Sequence, residues 1–239
     1  MKIKTFHEAP KSLFEDVQTV TDGDYALVHL FEEDKEYLEL FKEAIRKGRE
    51  VILDNSIFEL EEAFDAEKFS HWVDKLRPTW YIVPDALENA KKTMSQMAEW
   101  NLKYPDIPGK KIGVVQGKTY EQIKNCYQYM DKFAEVDMIA ISFDYSYYTN
   151  SFPHLNKYVS WAMGRVKLLG DLLKDGIINQ DKPHHLLGIS LYWEGEFYNQ
   201  YPWIYSIDTS NPVVFALKNR SYERKLTWDK PSEKLFTLI

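Results

Sequence analysis

The sequence predicts a single closed (β/α)8 barrel of the TIM type, and three observations predict it. The chain has 239 residues, long for one small domain and typical of one α/β barrel. Short apolar runs recur along it, each followed by a stretch with helical spacing, and no linker or low-complexity tract divides them. The phosphate loops of the rival architecture, an open doubly wound sheet, have no counterpart: neither GxGxxG nor a Walker sequence follows any strand. With 44% hydrophobic and 28% charged residues, the chain can bury a sizeable core.

The elements follow in order. Ile3–Phe6 reads as a weak first strand and Pro10–Val17 as a short first helix. The second strand is Tyr25–Phe31. Lys35–Lys47 then places Tyr37, Leu38, Phe41, Ala44 and Ile45 on one helical face. Val51–Asp54 is the third strand. Asp65 caps a helix carrying Phe69, Trp72, Val73 and Leu76, which ends before Pro78. Trp80–Val83 and Ile112–Val115 are the fourth and fifth strands, and Tyr120–Phe133 is a helix. Met138–Phe143 is the sixth strand, His154–Leu173 a helix, and His185–Ile189 and Trp203–Ile207 close the set. Several of these strands are unbroken apolar runs, as parallel strands buried on both faces require. Asn211-Pro212 offers a cap and first-turn pair for a last helix. The reading is one domain over residues 1–239, with 212–239 a C-terminal helix and basic tail.

Composition narrows the function. One cysteine, Cys126, excludes an internal disulfide framework and any multi-cysteine zinc site; it sits in a helical stretch and is expected to be buried and inert. The six histidines show no metal-ligand spacing, and the adjacent His184-His185 should face opposite sides of a strand. No apolar run approaches the ~20 residues of a membrane span. Met1-Lys2-Ile3-Lys4 lacks a secretory apolar region, so a cytoplasmic location is expected. The net charge of −7 makes a poor generic polyanion binder, so a nucleic acid would need a local patch. Residues 218–234 supply one, with a net +3 from Lys218, Arg220, Arg224, Lys225, Lys230 and Lys234 against three acids. Tyr222 and Trp228 interleave with these charges.

In a barrel, chemistry is built from the C-terminal ends of the strands. Those ends carry Asp54-Asn55-Ser56, Pro84-Asp85, Gln116-Gly117, Ser142-Phe143-Asp144, Gly188-Ile189-Ser190 and Asp208-Thr209-Ser210. Any one of these is an ordinary cap or Asx-turn. Together they bring several carboxylates and an amide to one end of the barrel. One carboxylate can act as nucleophile and another as proton shuttle, while a third with the amide reads a hydrogen-bonding ligand. Paired carboxylates at an anomeric carbon are the chemistry of glycosyl transfer.

Four of these segments, in order over roughly residues 50 to 215, resemble the tRNA-guanine transglycosylases. Asp54-Asn55-Ser56-Ile57-Phe58-Glu59 is similar to that family's Asp-Ser-Gly-Gly-Phe-Gln, and Gly113-Val114-Val115-Gln116-Gly117 to its Gly-Ile-Val-Gln-Gly. His185-Leu186-Leu187-Gly188-Ile189 is similar to its Tyr-Leu-Met-Gly-Val, and Ser206-Ile207-Asp208-Thr209-Ser210 to the strand bearing its nucleophilic aspartate. Two departures matter. The family's zinc subdomain, with three Cys and one His, has no counterpart here. Its Gly-rich motif after strand six is replaced by Ile141-Ser142-Phe143-Asp144. A compact barrel without that subdomain resembles the phage and bacterial DNA-guanine transglycosylases, which place 7-deazaguanines in DNA.

The resemblance implies roles. Asp208 attacks C1′ of the sugar and displaces guanine, giving a covalent glycosyl-enzyme, and Asp54 shuttles the proton of the base. Asp85 and Gln116, with Gly117, pair with the base edge, while Phe58 and Leu187, with Gly188, enclose its ring. Asp144 is the rival nucleophile. Lys218, Arg220, Arg224 and Lys225 are expected to meet the DNA backbone. The partners implied are DNA and a free 7-deazaguanine base. No cofactor or metal is required, since one glycosidic bond replaces another. Three alternatives stand beside this reading: exchange in tRNA, hydrolysis of a free 7-deazaguanosine, and an inactive subunit that pairs with an active transglycosylase. A homodimer is compatible with any of them.

Overall fold

The computed structural model describes residues 2–191 and 193–219. Eight parallel strands pair in sequence order, and β1 returns to β8 to close the barrel. They are β1 Lys4–Glu8, β2 Gly23–Leu27, β3 Glu50–Asp54, β4 Trp80–Ile82, β5 Lys110–Val115, β6 Met138–Ile141, β7 His184–Leu186 and β8 Ile204–Thr209. The (β/α)8 class read from the sequence is the observed one. Around the strands lie α1 Phe14–Gln18, α2 Leu30–Glu33, α3 Lys35–Arg46, α4 Ile57–Leu60, α5 Ala66–Leu76 and α6 Ala90–Lys103. They continue as α7 Tyr120–Lys132, α8 Ser146–Ser151, α9 Lys157–Lys174, α10 Glu194–Tyr198 and α11 Asn211–Asn219.

Alternation along each strand divides the core into two layers. Phe6, Tyr25, Ile52, Trp80, Ile112 and Met138 fill the barrel interior. Val51, Leu53, Val115, Ile139 and Ile141 face outward against helix residues such as Phe41, Phe69 and Trp100. This is the period-two side-chain rule of a strand. Helix starts follow the expected chemistry: Asp34, Asp65, Asn89, Thr119 and Asn156 each accept a hydrogen bond from a first-turn N–H. At the N-terminal end of the barrel, Glu50 accepts from Lys4 (2.6 Å), Tyr205 (2.8 Å) and Trp80 (3.4 Å).

Several element bounds depart from the sequence reading, β6 ending at Ile141 and β7 at Leu186, and three departures have a local cause. The second strand ends at Leu27, because Leu30–Glu33 forms a helical turn that buries Phe31 against Tyr37 and Trp72. The helix expected over 154–173 starts at Lys157, where Asn156 caps it, and an unforeseen α8 precedes it. Pro153 disfavours helix at Phe152 and separates the two. Asn211 opens α11 as expected, but its amide donates to the carbonyls of Ile189 (3.2 Å) and Ser190 (2.8 Å). Of the expected C-terminal helix and tail, residues 220–239 lie outside the described residues. Among the described residues, no helix is long and apolar enough to cross a membrane.

Candidate active site

The interior phase of the strands runs straight into the site. Two residues beyond Ile52 on β3 stands Asp54; two beyond Val114 on β5 stands Gln116; two beyond Ser206 on β8 stands Asp208. All three line one cavity at the C-terminal end of the barrel, with Asp85 from the loop after β4. The cavity holds about 170 Å³, less than the ~300–1,000 Å³ of a drug-sized site, and suits a single heterocycle. Phe58, Leu187 and Gly188 line it as well. Beside it lies a wider groove of about 780 Å³ that shares Glu8, Leu27 and Glu59 with it.

Asp208 is held from one side only. His185 Nε2 lies 3.0 Å from Asp208 Oδ1, and the Gly188 N–H donates to the same oxygen at 3.0 Å. The other ring nitrogen of His185 meets Ser206 Oγ at 2.7 Å. A neutral imidazole that donates from Nε2 to the carboxylate accepts the Ser206 hydroxyl at Nδ1, so every partner is satisfied. His185 is fully buried and stacks on Tyr25, with ring centroids 6.4 Å apart at 17°. Both of these hydrogen bonds fall on Oδ1 of Asp208, and Oδ2 takes neither.

Asp54 sits differently. Its Oδ2 accepts from the Ser56 N–H at 2.9 Å, closing a tight turn in which Ser56 takes a left-handed φ of 59°. Burial pushes the Asp54 carboxyl well above the ordinary carboxylate range, and repulsion from Glu59, Asp85 and Asp208 adds to this against the Ser56 hydrogen bond. Asp54 is therefore biased toward carrying a proton, the state a general acid needs.

Asp85 and Gln116 form a hydrogen-bonded pair at the cavity. Asn55 Nδ2 donates to Asp85 Oδ1 (2.8 Å) and Gln116 Nε2 to Asp85 Oδ2 (2.7 Å). The Glu88 N–H donates to Gln116 Oε1 at 2.8 Å, which fixes the direction of the amide. Burial raises Asp85 to about 6, with both amides pulling the other way. At neutral pH it stays mostly ionised and accepts from both amides.

The loop after β7, which brings Leu187 and Gly188 to the cavity, rests on a buried ion pair. Arg165 on α9 meets Glu194 at 2.6 Å and donates to the carbonyls of Leu187 (2.5 Å) and Gly188 (3.2 Å). Tyr198 OH donates to the same Glu194 oxygen at 2.6 Å. Gly188 has φ +60°, and a Cβ there would fall 2.4 Å from the Phe143 ring. Only glycine lets this amide reach Asp208.

Some expected site residues stand elsewhere. Gly117 is not at the cavity: it packs on the start of α7, where a Cβ would lie 2.8 Å from the Ile123 nitrogen. Lys218 is exposed on the last turn of α11 and does not line the cavity. Arg220, Arg224 and Lys225 fall outside the described residues. Asp144 is at the cavity, with Ser142 Oγ donating to it at 3.0 Å. His184 and His185 face opposite sides as expected, His184 meeting Tyr127 OH at 2.7 Å outside the barrel. Cys126 is buried, and burial pushes its thiol up to about 12. The sequence does not single out His185, although it lies in phase with Leu187, nor Arg165, nor the aromatic head of α9, which starts at Lys157 and not at the predicted His154.

Among the described residues, no group of three or more His, Cys, Asp or Glu side chains is arranged to hold a metal ion. What fold and site define is a (β/α)8 barrel with a carboxylate-lined, amide-flanked cavity at the C-terminal ends of its strands. No protein-family model matches the chain, and no curated protein matches it.

Proposed function

We propose that this protein exchanges guanine in DNA for a 7-deazaguanine derivative through a covalent aspartyl-glycosyl intermediate. The observation that carries the reading is the unequal pair of carboxylates in one cavity. Asp208 has one oxygen anchored by His185 and Gly188 and the other left for attack. Asp54 is held in an environment that favours its protonated form. Asp208 Oδ2 bonds to C1′ as the bond to guanine breaks, and the electron pair leaves with the base. Asp54 supplies the proton that guanine carries away. The incoming deazaguanine returns a proton to Asp54, attacks C1′ from the same face and releases Asp208, so configuration is retained. Asp85 accepts from the N–H groups of the base edge and Gln116 addresses its carbonyl side, while Phe58 and Leu187 cover the ring.

A second reading, hydrolysis of a free 7-deazaguanine nucleoside, is favoured by the acidic lining. Among the described residues six carboxylates and one lysine face the cavity, a poor surface for a polyanion. One experiment separates the two. Wild-type protein is mixed with guanine-containing DNA, tRNA or nucleoside, denatured, and examined for a covalent adduct and for free base. We expect an adduct with DNA, lost in Asp208→Asn and kept in Asp144→Asn. Base exchange in Asp208→Asn should fall on the order of 10⁴-fold or more, while guanine still binds. An adduct that survives in Asp208→Asn and disappears in Asp144→Asn names the wrong carboxylate. Release of base from nucleoside with no polymer adduct establishes the hydrolase.

A further inference from the structure

The cavity admits one base, so the nucleotides on either side of a target must lie on its rim, and the rim is uneven. Six carboxylates stand among the cavity's lining residues, interspersed with apolar side chains. At the head of α9 the character changes. Phe58, Phe143, Trp161 and Tyr158 form an unbroken run of rings, with successive centroids 5.3, 5.3 and 5.6 Å apart. Lys157 lies over the outer two, its Nζ 5.1 Å from the Trp161 centroid and 5.2 Å from that of Tyr158. It is the one cation among the described residues that line the cavity. The run starts at the ring expected to cover the target base and leads outward to an exposed positive charge.

We infer that Lys157, Tyr158 and Trp161 form a subsite for the nucleotide next to the target in a single-stranded or locally opened DNA. Its base stacks on the Trp161–Tyr158 rings, and the phosphate joining it to the target meets Lys157. The chemistry fits this occupant. Every base has a π-face, so stacking is tolerant of sequence. A strand threading an acidic rim gains most where its phosphate meets the sole lysine. A target extruded into the cavity loses its stacking partners, and the aromatic run replaces one of them. The inference rests on the proposed reading that the substrate is a polymer, and it adds that the strand is opened and enters over α9.

The test is equilibrium binding of a labelled single-stranded DNA hexamer with one guanine, beside binding of free guanine. Wild type is expected to bind both. Trp161→Leu should weaken the hexamer by about 5- to 100-fold, the range measured for losing one stacked base. Lys157→Ala should weaken it and lower the slope of log affinity against log salt by about 0.7, the share of one single-strand phosphate contact. Lys157→Arg should restore most of both. Guanine affinity should change far less than hexamer affinity in either variant. Lys157 is exposed, so its variant folds even where Trp161→Leu does not. Hexamer affinity and salt slope unchanged in Lys157→Ala would overturn the inference, as would equal losses for hexamer and guanine. Wild type that binds guanine but not the hexamer overturns it and leaves the base site standing. Wild type that binds neither removes the base-exchange reading with it.

Discussion

Strand β3 carries a carboxylate at each end, and the two live in opposite worlds. Glu50, at the N-terminal end of the barrel, is partly buried, which alone would raise its carboxyl. Hydrogen bonds from Lys4 and Tyr205, with the Lys4 charge, outweigh this and hold it below the ordinary value. Asp54, four residues on, is more deeply buried, faces Glu59, Asp85 and Asp208, and accepts one backbone N–H. Its carboxyl is driven up. One end of the barrel places a cation and two donors around its acid; the other gathers acids and leaves the charge uncompensated. That contrast sets a charge-stabilised carboxylate against the kind of perturbed carboxyl that the proposed proton transfer needs.

The largest expected effect that sharpens the comparison comes from Asp54→Asn. If Asp54 shuttles the proton as proposed, its loss should slow base exchange by about 10²–10⁴-fold. Stability should move the other way. A carboxyl raised in the folded state binds its proton more tightly there than in the unfolded chain, so stability falls as pH rises from the unfolded value through the folded one. Asparagine carries no such charge and keeps an oxygen for the Ser56 N–H. Thermal melts should therefore show Asp54→Asn gaining on wild type as pH rises from 4 to 8. Equal melting differences at both pH values would break the assignment of Asp54 as a strained acid.

His185 gives the next effect. Replacing it by Phe keeps the ring against Tyr25 and Phe6 but deletes the donor to Asp208. A hydrogen bond to a charged group contributes about 1.5–3 kcal/mol, so exchange should fall by about 10- to 100-fold with guanine affinity unchanged. His185→Gln, whose amide reaches the position of Nε2, should recover part of the loss. If the Phe and Gln variants behave alike, Asp208 is placed by Gly188 alone.

How much of this was legible follows from the kind of signal each part leaves. Most of the strands announce themselves as apolar runs, the first only weakly, and Asp54, Gln116 and Asp208 are legible because each continues the interior phase of its own strand. Asp85 belongs with them, in the loop that leaves β4. His185 is also in phase, but its meaning lies in Asp208, reached from another strand, and a period cannot express a pairing 23 residues away. Gly117 followed the family pattern in sequence, yet its neighbours turn it into α7. Arg165 looks like any polar helix residue until the fold buries it beside Glu194. The run from Phe58 to Tyr158 joins three separate segments, so only the closed barrel assembles it.

The smallest effect tests the quiet end of β3. Glu50→Gln removes the partner of Lys4 but leaves an amide for Tyr205 and Trp80. Both charges are partly solvated, with side-chain exposures of 35% for Lys4 and 27% for Glu50, so the Coulombic gain is screened and the loss should be about 1 kcal/mol. For a chain of this size that corresponds to roughly 2–4 °C in Tm. The sign of its pH dependence is opposite to that of Asp54. A carboxyl lowered in the folded state contributes stability that is fully present above its unfolded value and disappears as pH falls through the folded one. The difference between wild type and Glu50→Gln should thus be full at pH 7 and shrink below pH 4. Base exchange should be untouched, because Glu50 lies at the end of the barrel away from the cavity. A Glu50→Gln protein with normal melting but impaired exchange would mean that the two ends of the strand are coupled, and that the carboxylates of β3 do not divide their work between stability and chemistry.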